Sequence, residues 1–160
     1  MIIRKATLQD AAQLRPLYVE LMKDAVIYQP EHFVIGERDD AFFKRIVDSD
    51  TQDILVAEDA SGIVGFCHIM ISHTKNVSCL KPQTFAYIQD LVVAKETRNR
   101  GIGTALMAAG KAYARDHGAA FIRLSVFPGN IAGLRFYERD GFCETMKTLE
   151  CPLSFTPPSG

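Results

Sequence analysis

The spacing of apolar and polar positions changes several times along the 160-residue chain, and each change marks an element. Residues 2–6 alternate as a short strand, after which Thr7 and Asp10 form a variant of the capping box that opens a helix. Ala11, Leu14, Leu17, Tyr18 and Leu21 keep the helical period, with Pro16 the one irregularity. Residues 28–36, with Pro30 and Gly36, read as a loop, and residues 41–47 as a second short helix. From Asp53 the pattern becomes that of strands: residues 54–57, a turn through 59–62, then residues 63–71, a hairpin. Residues 74–84 are polar and loop-like, and residues 85–93 form another β-rich run.

Ile102, Ala105, Leu106, Ala109 and Tyr113 make one apolar stripe on a helix over 101–117, which Gly118 ends. Residues 121–127 read as a strand broken by Pro128-Gly129, Asn130 caps a helix through Arg139, and Gly141 stops it. Residues 142–153 suggest a final strand or two, and residues 153–160 a loosely held tail. The order β-α-α-β-β-β-α-β-α-β predicts an α/β (α+β) mixed sheet of six to seven strands flanked by about four helices, in one domain over residues 1–152.

Composition narrows the function. The 18 basic side chains against 19 acidic ones leave a net charge of −1, which excludes a nucleic-acid binder working by bulk basicity. The 48% of hydrophobic residues is enough for a core without staples. The longest apolar stretch, residues 63–71, is interrupted by His68 and falls far short of the ~20 residues needed to cross a bilayer. With no leader-like segment at Met1, a cytoplasmic protein with no membrane partner is expected. Cys67, Cys79, Cys143 and Cys151 contain no C-x-x-C pair and read as small apolar residues, and the histidines are scattered, so no metal is expected. Residues 31–59 carry nine acids against three bases, and residues 95–123 six bases against two acids. The chain thus has an acidic half-site and a basic one.

An anion has a specific place to bind. In residues 90–104 a strand runs into a basic loop and then into a helix opened by Gly101 and Gly103. The free N–H groups of that helix start favour an anion, the glycines let it approach, and Arg98 and Arg100 add charge. A dinucleotide fingerprint would need a third glycine where Leu106 stands, and a P-loop would need a Gly-Lys-Ser/Thr run, which is absent. A plain tight turn with solvated arginines is the alternative.

A second block follows: Asn130, then Phe136-Tyr137-Glu138-Arg139-Asp140-Gly141-Phe142. With Arg98-Asn99-Arg100-Gly101-Ile102-Gly103, it resembles the GCN5-related N-acetyltransferase (GNAT) superfamily, whose cofactor motif is Arg/Gln-x-x-Gly-x-Gly/Ala. The resemblance implies acetyl-CoA as co-substrate, its pyrophosphate on the backbone of Arg98, Asn99, Arg100, Gly101, Ile102, Gly103 and Thr104. It places the pantetheine arm along Leu91, Val92 and Val93, with a backbone N–H near Val92 or Val93 polarising the thioester carbonyl. Asn130 would touch the arm, and Tyr137 would return a proton to the leaving thiolate.

Two positions depart from the pattern. Gly133 stands where alanine is common, and Gln89 stands where many relatives carry a glutamate that acts as general base. Gln89 cannot take a proton. Asp90 is the neighbouring candidate, but it alternates to the opposite face unless the strand is bulged. The resemblance therefore implies an N-acetyltransferase acting by direct attack of a primary amine, borne by a small molecule or a protein, in a chain whose relatives often form homodimers. Two rivals stand beside it: an acetyl-carrying Cys67 or Cys143, and a CoA-binding sensor without catalysis.

Overall fold

A computed structural model of the chain describes residues 1–156; of the expected tail at 153–160, the last four residues lie outside the described part. It resolves into two compact units, one over Met1–Ser125 and one beginning at Val126. The first holds β1 (Ile2–Lys5), α1 (Ala11–Tyr28), α2 (Asp40–Val47), β2 (Gln52–Asp59), β3 (Gly62–His73), β4 (Thr84–Val93), α3 (Ile102–Asp116) and β5 (Ile122–Leu124). The strands lie in the order β1-β2-β3-β4-β5, antiparallel up to β4 and parallel between β4 and β5. The second unit holds α4 (Ile131–Arg139).

The mixed sheet agrees with the expectation, but among the described residues it has five strands rather than six or seven. No strand forms over residues 142–153, where Met146 and Leu149 are exposed. Among the described residues, the unit that begins at Val126 contains no strand that could complete a ladder with it, and a strand without a partner does not hold. β5 is also shorter than residues 121–127, because β4 changes register at residue 89 and β5 pairs only with residues 86–88.

One face of the sheet is covered by α1 and α2: Leu14, Leu17, Tyr18, Phe43 and Ile46 pack on Ile54, Val56, Phe66 and Val92. Each fully buried side chain of this size contributes about 1.5–3 kcal/mol. The other face meets α3, where Gly110 lies within 3.7 Å of positions on Cys67 and Ile69 once a β-carbon is built on it. Of the cysteines, only Cys67 is the small core residue expected; Cys79, Cys143 and Cys151 are exposed, since they fall in the polar loop and after α4 rather than in a strand.

The expected turn into α1 is present and is held by charge. Asp10 accepts from the Thr7 N–H (2.7 Å) and takes both terminal nitrogens of Arg4 (2.8 and 2.9 Å). The guanidinium holds this buried carboxyl down to about 2.

Candidate acetyl-transfer site

β3 and β4 run in register from Gly65↔Val93 to His68↔Asp90, and resume at Ile69↔Ile88, so Gln89 is an extra residue in a β-bulge. The bulge reverses the alternation. Ile88, paired with Ile69, faces α3, whereas Asp90, paired with His68, faces the α1 and α2 side, and Gln89 is exposed. Asp90 thus lies on the face that an unbulged strand would have given to Gln89. Its side chain keeps 18% of its surface exposed and lies 3.6 Å from the Nδ1 of buried His68.

The bulge also opens an edge. β5 leaves β4 after Ile88, so residues 89–93 have no strand neighbour on that side within the unit. The Ala94 N–H donates to the Val64 carbonyl, so successive residues alternate between β3 and the open side. Leu91 and Val93 turn their N–H and C=O groups to the open edge, while those of Val92 belong to the β3 ladder. Of the two backbone donors expected near the thioester, Val93 faces the opening and Val92 does not. The Val93 carbonyl accepts from the Arg98 Nε at 3.0 Å.

The turn into α3 fits a bound anion. Asn99 (φ 62°) and Gly101 (φ 78°) both take the left-handed conformation, the geometry from which backbone N–H groups converge. The first helical bond is that of the Ala105 N–H to the Gly101 carbonyl (3.0 Å), which leaves the N–H groups of Ile102, Gly103 and Thr104 without a partner in the helix. A β-carbon on Gly101 would meet nothing within 4 Å, so the approach is open. Arg100 is exposed beside it. Besides holding Val93, the Arg98 guanidinium lies 3.7 Å from Asp24 on α1. It ties the turn to the end of β4 and to the first helix.

The acidic stretch is largely consumed locally. Asp39 caps α2, Asp59 holds Ser61, and Asp40, Asp48, Asp53 and Glu58 pair with Arg15, Lys44, Lys5 and Arg4. Most of those charges act as partners in the fold and not as a lure for substrate. The covalent rival loses Cys67, which is fully buried and whose thiol burial and the Asp90 carboxylate push up to about 12.

In the second unit Asn130 caps α4, its Oδ1 accepting from the Gly133 N–H at 2.9 Å. The missing side chain at Gly133 has a local cause, because a β-carbon there would stand 2.6 Å from the Asn130 amide nitrogen. Tyr137 is half-buried, its ring edge-on to Phe136 and Phe142 (centroids 5.3 and 5.7 Å).

Sequence reasoning missed Gly65 and His68 and the pairing of Arg98 with Asp24. Arg98 was legible but its partner Asp24 was not, since their contact is between distant segments. Gly65, opposite Val93, gave no signal. His68 did give one: it is the single polar residue inside the apolar run of β3.

Comparison with known proteins shows the family and the fold. Residues 14–142 match the family model described as Acetyltransferase (GNAT) family. The uncharacterized N-acetyltransferase YhfO of Bacillus subtilis (strain 168) is 28% identical over 144 residues, 90% of this chain and 91% of that protein. The crystal structure of a mutant of the BH1408 protein from Bacillus halodurans superposes with a TM-score of 0.91 at 27% identity, covering 96% of this chain and 99% of that one. The aminoglycoside N-acetyltransferase AAC(6')-Iy in complex with CoA shares the fold, with a TM-score of 0.74 at 18% identity over 94% of this chain and 98% of that one.

Proposed function

Since the chain belongs to the acetyltransferase (GNAT) family and is an acyltransferase, we propose that it moves an acetyl group from acetyl-CoA directly to a primary amine. The observation that carries this reading is the left-handed pair Asn99 and Gly101, which opens α3 with three N–H groups unfilled. The family match runs through both units, which supports reading them as one acetyltransferase domain. The acceptor is an amine of a small molecule or a protein; AAC(6')-Iy has been seen with a CoA-acetylneamine bisubstrate analogue, which supports a small amine.

The residues divide the work as follows. Backbone N–H groups of Ile102, Gly103 and Thr104, with Arg100, hold the pyrophosphate. The open backbone of Leu91 and Val93 receives the extended pantetheine arm as a further strand would be received, with Asn130 contributing from α4. Bound acetyl-CoA supplies an activated thioester carbonyl. The Val93 N–H withdraws charge from that carbonyl oxygen as the amine attacks. The amine arrives as an ammonium with a pKa of about 10.4 and must lose a proton first, and Asp90, turned to the α1 and α2 side by the bulge, receives it. The new N–C bond forms as the C–S bond breaks, Tyr137 gives its proton to the thiolate, and the second proton that the nitrogen sheds as it becomes an amide restores the Tyr137 hydroxyl. No cysteine carries the acetyl group.

The test is calorimetric titration of the purified protein with acetyl-CoA, followed by free-thiol release with a panel comprising spermidine, sisomicin, ethylamine and a peptide with a free N-terminus. Binding with amine-dependent thiol release is expected. Binding with no release above the amine-free rate would make the protein a CoA sensor, and no binding would overturn the reading altogether.

A further inference from the structure

His68 stands on β3 in the middle of a buried apolar run, 5% exposed, where an unpartnered imidazole is costly. Its Nε2 lies 3.0 Å from the Gln52 Oε1 on β2, and its Nδ1, which has no hydrogen-bond partner, faces the Asp90 Oδ2 at 3.6 Å. With its Oε1 toward the ring, the Gln52 amide presents an acceptor, and this contact assigns the hydrogen of the neutral ring to Nε2. The Nδ1 lone pair then faces the carboxylate oxygen at 3.6 Å with no hydrogen between them.

We propose that His68 is the proton store behind Asp90: the proton leaving the acceptor ammonium passes through the Asp90 carboxylate to the His68 Nδ1. This rests on the acetyl-transfer reading above and supplies the step that Gln89 leaves vacant. The N–H bond of the ammonium breaks, an N–H bond forms at Nδ1, and Nε2 keeps its hydrogen on Gln52. The site then holds an imidazolium against a carboxylate in place of a protonated acid beside a neutral ring. Asp90, the partly exposed member, later returns the proton to water. His68 acts through Asp90 and does not itself touch the acceptor.

The surrounding groups favour this direction. β4 contributes Asp90, β2 contributes the uncharged Gln52, and α2 contributes the edge of Phe42, 6.3 Å from the imidazole between ring centroids. The guanidiniums of Arg38 and Arg45 lie on Phe42 at 4.6 and 5.8 Å from its centroid and oppose a positive ring. They act from beyond the phenyl ring, whereas the carboxylate is in near contact. α1 contributes the buried Tyr18, whose hydroxyl is pushed far up by burial and by Asp90 and stays neutral, and Cys67 next along β3 also stays neutral.

His68→Gln tests the idea, because glutamine retains a donor for Gln52 but cannot hold the proton. With any reactive amine of the panel, kcat/KM at neutral pH should fall roughly ten- to a hundredfold, and the deficit should shrink as pH rises toward the amine's own pKa. Asp90→Asn should show the same dependence. An unchanged profile, or a loss equal at every pH, overturns the proposal while leaving acetyl transfer standing. Failure of the unmodified protein to acetylate any amine, with acetyl-CoA still bound, overturns the underlying reading and this one with it. A measurement needing no variant decides the matter should His68→Gln not fold: the ring 15N shifts of the unmodified protein should place the neutral hydrogen on Nε2, and a hydrogen on Nδ1 would refute the proposal.

Discussion

Gly65 and Val92 approach so closely across β3 and β4 that a β-carbon on residue 65 would stand 2.7 Å from the Val92 carbonyl oxygen and 3.2 Å from the Leu106 Cδ1. The oxygen is backbone and cannot swing aside. Gly65→Ala must therefore push β4 away just where Val93 faces the open edge, and about 1–3 kcal/mol of destabilisation is expected, with weaker acetyl-CoA binding. Gly110 is the internal control: its built β-carbon would find only ordinary contacts at 3.7 Å, and Gly110→Ala removes a helical glycine, so it should be neutral or stabilising by up to ~1 kcal/mol. Denaturant unfolding of the two variants checks this; equal stabilities would contradict it.

Asp10 sets an acid limit on the fold. Its carboxyl is held near 2 in the folded chain against about 3.9 when unfolded, so its contribution is complete above the unfolded value and disappears as pH falls through about 2. Asp10→Asn should cost about 2 kcal/mol at pH 7. The gap between variant and parent should close as the pH approaches 2, measured as unfolding midpoints across the range. A gap independent of pH would mean that packing, not the Arg4 pair, holds the turn.

The elements that could be read from the sequence are those whose signal is local. The Thr7–Asp10 turn, the stripe of α3, the Asn130 cap and the hairpin of β2 and β3 all follow from residues within a few positions of one another. The strand over residues 142–153 failed because a strand is a property of two segments, and alternation reports only one of them. The bulge at Gln89 could be named as a condition on Asp90 but not deduced, since register is fixed by β3. His68 belongs with Asp90 for the same reason: they are 22 positions apart in the chain and opposite in the ladder. The Arg98 contacts with Val93 and Asp24 lay beyond reach too, because an arginine in a basic loop reads equally as a phosphate ligand.

Gly103 separates the anion site from backbone strain. Gly101 has φ 78°, so any side chain there destabilises the turn whether or not a phosphate binds. Gly103 lies inside α3 without positive φ, where valine costs only a few tenths of a kcal/mol in helix propensity relative to most residues. Gly103→Val should therefore leave the protein folded while its branched side chain fills the space over the N–H groups of Ile102 to Thr104. Acetyl-CoA binding measured by calorimetry should be abolished. Unchanged affinity in the folded variant would place the cofactor elsewhere.

Tyr137 is expected to protonate the leaving thiolate. It stands seven residues after Asn130, about two helical turns from the cap, and so returns to a similar face of α4. Its ring is half-buried against Phe136 and Phe142 by edge contacts that a phenylalanine reproduces. A phenol of pKa about 10 is protonated at neutral pH, and a thiol of about 8.5 leaves as a thiolate able to take that proton only if the donor is held next to it. Tyr137→Phe should keep stability and acetyl-CoA affinity while kcat falls about ten- to a thousandfold, water replacing the hydroxyl in part. A folded Tyr137→Phe protein with kcat within about twofold of the parent, in single-turnover measurements that isolate the chemical step, would assign the tyrosine to packing in α4 alone.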